Sequence, residues 1–185
     1  MSDTKKTVSA TTVTSGIGRF SFMHVWEPSA VNEGDDKKYS VSFLWPKTDT
    51  ATTKKMQAGV DAAIEAGKTS KFEGKIKGLK LPIRDGDEDR DDEAYKGHWF
   101  VNASSKTRPG IVDKTASPIL DQEEVYSGCY GRVSINFYPF STKGNKGVAA
   151  GLNHIMKTKD GEPLSGRQSA STAVADVIEE ENDLI

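Results

Sequence analysis

Cysteine is almost missing from this chain. Cys129 is the single one among 185 residues, so no internal disulfide can form and a disulfide-stapled scaffold is excluded. Histidine is scarce as well: His24, His98 and His154 are scattered, and with one thiol they make a poor structural zinc site. Long apolar runs are absent too. Met1 to Ala10 is polar with Lys5 and Lys6, and nothing after it could serve as a signal-peptide core or a membrane span. The expectation is a cytoplasmic protein with no membrane partner. No Gly-x-Ser-x-Gly elbow and no Gly-x-x-x-x-Gly-Lys-Ser loop occurs, which removes two common routes to acyl and phosphoryl chemistry. Cys129, between Gly128 and Tyr130 in a strand pattern, reads as a small buried hydrophobe rather than a nucleophile. No enzymatic activity and no cofactor are expected.

What is present is charge, and it is segregated. The formal net charge is -2, from 25 Lys and Arg against 27 Asp and Glu. Every Lys and Arg lies at or before Arg167, whereas Asp176, Glu179, Glu180, Glu181 and Asp183 crowd the last ten residues. Without them the body is weakly basic, about +3, and the average conceals an acidic appendage.

Hydrophobic content of 35% supports one sizeable core rather than two. The pattern divides into a flexible start over 1–15, one domain over 16–166 and a disordered acidic tail over 167–185. Within the domain, GIGRFSFMHVW reads as a strand, with Phe20 and Phe22 assigned to the core. Tyr39, Val41, Phe43 and Trp45 alternate with Ser40, Ser42 and Leu44, the clearest strand signal in the sequence. Asp49 or Thr48 can cap a helix in which Met56, Val60, Ala63 and Ile64 recur at helical spacing, ending near Gly67. Lys71 to Gly97 reads as a long irregular loop carrying the acidic run Asp85 to Glu93. Strand character returns at HWFVNASS, after a Pro109-Gly110 turn, and in GCYGRVSINFYPF and VAAGLNHIMKT, joined through STKGNKG. The expected fold is mainly β, a small OB-like barrel with one inserted α-helix and long loops.

Binding unpaired nucleic acid takes cations that follow phosphates and aromatic faces on which bases stack. Both occur together here. Tyr130 and Arg132 stand two apart, Asn136 and Tyr138 continue their face, and Lys143 and Lys146 lie at the adjacent hairpin tip. Trp99 precedes Lys106 and Arg108, while Lys37 and Lys38 lead into Tyr39. An aromatic on an alternating strand more often fills a core than meets a ligand; basic neighbours make Tyr39, Trp99 and Tyr130 candidates. The tail, with Glu179, Glu180, Glu181 and Asp183 ahead of Leu184 and Ile185, fits a recognition peptide: carboxylates steer it to basic patches and the apolar pair enters a pocket.

Several segments together, FSFMHVWEPSAVNEGDDKKYSVSFLWPK, LPIRDGDEDRDDEAYKG, RPGIVD, YSGCYGRVSINFYPF and GNKGVAAGLNHIMKTKDGEPLSGR, resemble a family of phage and prophage proteins long known only as a domain of unknown function. That family is similar to phage single-stranded DNA-binding proteins with an OB fold. The resemblance runs from about Gly16 to Arg167. It implies binding without strong sequence preference, protection of displaced strands in phage replication and recombination inside the bacterial host, and an acidic C-terminus that contacts replication proteins. A homodimer is compatible with the sequence.

Two other classes compete. A metal-dependent nuclease would use the acids between Asp85 and Glu93; against it, an EF-type calcium loop counted from Asp85 places Arg90 where Gly belongs and Lys96 where Glu belongs, and a contiguous acidic loop more often stays solvated. A scaffold protein would act through its tail alone.

Overall fold

Alternation builds the central strands, because successive side chains on a strand point to opposite faces. The computed structural model describes residues 9–30, 32–142 and 144–164. The 38–46 segment forms β3 (Lys38–Pro46), which turns Val41, Phe43 and Trp45 into the core. Before it come β1 (Thr12–Thr14) and β2 (Gly18–Ser29); after it come α1 (Thr50–Gly67), β4 (Ile83–Asp85), the short α2 (Gly86–Asp89), β5 (His98–Ser105), β6 (Gly110–Val112), β7 (Tyr130–Thr142) and β8 (Asn145–Lys159).

Pairings run β7-β2-β3-β5-β8, and β7 also pairs with β8, so five strands close into a barrel. The barrel is OB-like, as the sequence leads one to expect. Closure removes free edges from the ring. The remaining short strands attach outside it: β1 on β7, β4 on β5 and β6 on β8. β2 and β3 form the long-looped hairpin expected, while β5 runs parallel to β8, a pairing no local pattern announces.

The helix closes one side of the core. The Asp49 carboxylate accepts hydrogen bonds from the Thr52 amide at 3.1 Å and the Thr52 hydroxyl at 2.6 Å, capping the first turn and lowering the carboxyl below its ordinary 3.8. Met56, Val60 and Ala63 are buried with the barrel residues. Gly59 allows close approach, since a Cβ there would stand 2.7 Å from both Phe137 and Val13.

Four expectations change. Order begins before Gly16, with Val13 buried on β1. The β7–β8 connection is tighter than STKGNKG suggests, because the strands pair out to Thr142 and Asn145. Phe22 leaves the core: β2 is bulged between Ser21 and His24, Phe22 takes φ +46°, and its side chain is exposed. The segment carrying the acidic run is not an irregular loop: it forms β4 and α2 and folds back on the barrel, anchored by the buried ring of Tyr95, while Asp87, Glu88, Asp89, Asp91, Asp92 and Glu93 stay exposed.

Candidate nucleic-acid interface

Inward and outward positions of β3 and β5 differ sharply in chemistry. Inside lie Val41, Phe43, Val101 and Ala103; outside, register places Ser40 opposite Ser104 and Ser42 opposite Asn102. Across the next pairings Ser104 meets Gly151 and Tyr138 meets Ala149. The outer face of β3, β5 and β8 is therefore floored by serine, asparagine, alanine and glycine. Short side chains leave a broad shallow surface. Where β4 and its approach run beside β8, a groove of about 560 Å³ is lined by Lys80, Arg84, Asn102, Ser104 and Ala149 among others. Tyr138, 41% exposed, stands beyond it on β7.

Part of this face is roofed by the acidic segment Asp85 to Gly97, which folds back as a finger. Its anchor is Tyr95, fully buried against Leu44 and Phe100. The ring meets Phe100 edge-on at 5.0 Å, and its hydroxyl bonds to Ser42 Oγ at 3.1 Å. At the root, Gly86 packs against the carbonyls of Tyr95 and His98, where a Cβ would collide. Lys47 Nζ lies 2.7 Å from both Asp85 Oδ1 and Asp87 Oδ2. These hydrogen bonds hold both carboxyls below their ordinary 3.8 and raise the ammonium above 10.5. Asp89 turns to Arg84 at 3.5 Å. Asp85 and Asp87 thus face one ammonium of the chain itself and Asp89 a guanidinium, and among the described residues no three acidic, histidine or cysteine side chains gather as metal ligands. This geometry speaks against the nuclease alternative.

The remaining sequence candidates fall into three places. Lys37 precedes β3, Lys38 and Tyr39 open it, and Lys106 and Arg108 follow β5; Tyr39 pairs with Ser105, and Lys106 lies 3.7 Å from Asp36. Arg108 sits over the Trp26 ring at 5.3 Å, so these residues make one basic rim beside the Ser40–Ser104 end of the floor. Lys146 lies at the opposite end, its carbonyl accepting from the Lys80 amide at 2.9 Å; Lys143 falls outside the described residues.

Trp99 does not join either rim. It points inward at the α1 end, packs against the core and has Lys47 over its ring at 4.7 Å. On β7, three of the four aligned residues are engaged by the chain itself. Tyr130 lies between Arg19 at 5.3 Å and Lys159 at 4.8 Å, Arg132 donates to the Ser15 carbonyl, and Asn136 accepts from Thr11 and Thr12. Tyr138 alone of that row is well exposed. Glu179, Glu180, Glu181, Asp183, Leu184 and Ile185 fall outside the described residues.

Sequence reasoning does not single out Arg84, Lys80, Asn102 or Ser104. A signal for the last two exists: HWFVNASS alternates, so Asn102 and Ser104 share one face. Arg84 is hidden inside an acidic run.

Comparison with known proteins agrees with this architecture. The family model described as "Enterobacter phage Enc34, ssDNA-binding protein" matches residues 11–185. The p50 protein of Acyrthosiphon pisum secondary endosymbiont phage 1 is 32% identical over 173 residues, 90% of either chain. Among solved structures, the single-stranded DNA-binding protein from bacteriophage Enc34 in complex with ssDNA superimposes with TM-score 0.72 at 28% identity, over 85% of this chain and 91% of that one. The gp2.5 protein of bacteriophage T7, a single-stranded DNA-binding protein, shares the fold with TM-score 0.62 at 15% identity, over 85% and 97% of the two chains.

Proposed function

The chain belongs to the Enc34 single-stranded DNA-binding protein family, and we propose that it coats single strands along the outer face of β3, β5 and β8. One observation carries this placement: a closed barrel leaves a sheet face uncovered, floors it with side chains too small to build a core, and edges it with cations and an exposed tyrosine. Arg84 and Lys80 would meet phosphates, Asn102 and the serines would bond to base edges or sugars, and Tyr138 would stack on a base. Stacking serves any base, so binding is sequence-nonspecific. The rim of Lys37, Lys38, Lys106 and Arg108 extends the phosphate track. Its Lys106–Asp36 pair is exposed on both sides, hence weak and open to exchange for a phosphate.

The protein acts by binding, not by catalysis. Its task is protection of displaced strands during phage DNA replication and recombination in the host cytoplasm. The acidic tail, through Glu179 to Asp183 with Leu184 and Ile185, recruits replication proteins. Family membership supports the first role; charge segregation and the terminal apolar pair support the second. Among the described residues no helix is long and apolar enough to cross a membrane.

Fluorescence anisotropy of labelled oligo-dT against duplex of equal length, across a salt series, tests the reading. Single-strand binding that weakens with salt supports it, and a version ending at Ala175 should bind more tightly if the tail competes with phosphates. Absence of binding to either DNA at low salt would leave the scaffold alternative.

A further inference from the structure

Phe22 is anomalous on two counts. Alternation with Phe20 would bury it, yet β2 bulges between Ser21 and His24 and presents the ring to solvent at 53% exposure. The backbone there adopts φ +46°, a left-handed conformation that bulky L-residues rarely occupy and that glycine takes freely. Strain and exposure of an apolar ring are both unfavourable, and such combinations persist where a binding surface needs them.

The surroundings show what the ring faces. Arg90 of the acidic finger lies 5.3 Å from the Phe22 centroid, and 5.5 Å and 5.6 Å from the Tyr95 and Phe100 rings. Tyr95 belongs to the anchored roof and Phe100 to the β5 face beneath it, so Phe22 stands at the border between the roof and the open floor. Register agrees, since neighbouring Ser21 pairs with Ser42. Among the described residues no carboxylate lies within ion-pair distance of Arg90, unlike Arg84, which faces Asp89.

We propose that Phe22 is a stacking site for one unpaired nucleobase, with Arg90 backing the ring and supplying a cation for that nucleotide's phosphate. The inference rests on the single-strand reading and adds a reason for strand selectivity. In a duplex both faces of a base are occupied by its neighbours and its edge by its partner; in a single strand a base can turn out and take the ring as its neighbour.

The test uses the full chain with Phe22→Gly, Phe22→Leu and Phe22→Trp, each measured for melting temperature, for affinity to oligo-dT and duplex, and for fluorescence of an oligonucleotide carrying 2-aminopurine. Phe22→Gly should melt no lower than the parent, because strain is relieved, yet bind oligo-dT roughly tenfold more weakly, the loss of one stacked base. Duplex affinity should not change. Phe22→Leu should bind oligo-dT as weakly as the glycine variant and Phe22→Trp as tightly as the parent. Quenching of 2-aminopurine on binding should be smaller with glycine than with the parent.

Oligo-dT affinity unchanged in Phe22→Gly, or a leucine variant as tight as the tryptophan one, would overturn the stacking site. So would a melting temperature that falls together with affinity, which would make the ring structural. Failure of the parent chain to bind oligo-dT would instead overturn the single-strand reading itself.

Discussion

The outer face of β3 and β5 is one continuous surface with two halves of opposite character. Leu44 and Phe100 are buried under Tyr95, and there the chain covers itself with its own finger. Further along each strand, Ser40 and Ser104 have no such roof, and Asn102 is exposed. The antiparallel β3–β5 pairing runs through both halves; side-chain chemistry differs. A face that must be dry is apolar and capped. A face kept small and polar gains nothing from the core and is suited to a ligand that brings its own apolar surfaces, as stacked bases do.

The largest effect should fall on the roofed half. Tyr95→Ala removes a fully buried ring and should cost about 3–5 kcal/mol of stability, read by denaturant unfolding. Tyr95→Phe deletes only the hydroxyl bonded to Ser42 and should cost about 1 kcal/mol. A Tyr95→Ala variant as stable as the parent would mean that the finger is not held by packing.

The next comparison sets two aromatics against each other. Tyr138→Ala should weaken oligo-dT binding by about 1–3 kcal/mol while leaving the melting temperature in place. Trp99→Ala should do the reverse, costing about 2–3 kcal/mol of stability because the indole packs against the core, with affinity retained in the folded fraction. Exchange of these two outcomes would move the DNA to the other end of the barrel.

Smaller again is the electrostatic track. Arg84→Gln together with Lys80→Gln should flatten the slope of log K against log salt by about 0.7 for each phosphate left without its cation. An unchanged slope would remove both residues from the interface.

The smallest effect concerns the finger's lock. Asp85 and Asp87 titrate below their ordinary 3.8 in the folded chain. Their contribution is thus complete above about that pH and is lost as pH falls through the lowered folded values. Lys47 titrates above its ordinary 10.5, so its part persists below that value and is lost only in stronger alkali. Thermal melting of Lys47→Met beside the parent should show a modest difference, constant from about pH 5 to 9, that narrows as acid protonates the two carboxyls and leaves only the contact with the Trp99 ring. A gap that does not narrow in strong acid would contradict this assignment.

Much of the barrel is legible because β3 and β7 alternate and the helix carries a capping aspartate. Val41, Phe43 and Trp45 point inward as their period requires, and Asp49 caps α1. Phe22 is not legible, since a bulge shifts the face of every residue after it without altering local composition. Nor is the docking of the finger, whose only sign is Tyr95, a lone aromatic among acids. The row from Tyr130 to Tyr138 does share one face, as its alternation requires. What engages that face comes from Lys159 on the neighbouring strand and from Arg19, Ser15, Thr11 and Thr12, these four more than a hundred positions away and beyond the reach of any local pattern.

Whether single-stranded DNA lies on the open half of the β3–β5–β8 face can be read by chemical-shift mapping of the labelled full chain titrated with oligo-dT. The amides of Ser40, Asn102, Ser104, Ala149 and Gly151 should move first and furthest, with those of the Lys106–Arg108 rim following. Shifts concentrated instead around Arg19, Tyr130 and Lys159, with the floor unmoved, would place the strand elsewhere on the barrel and contradict this assignment of the face.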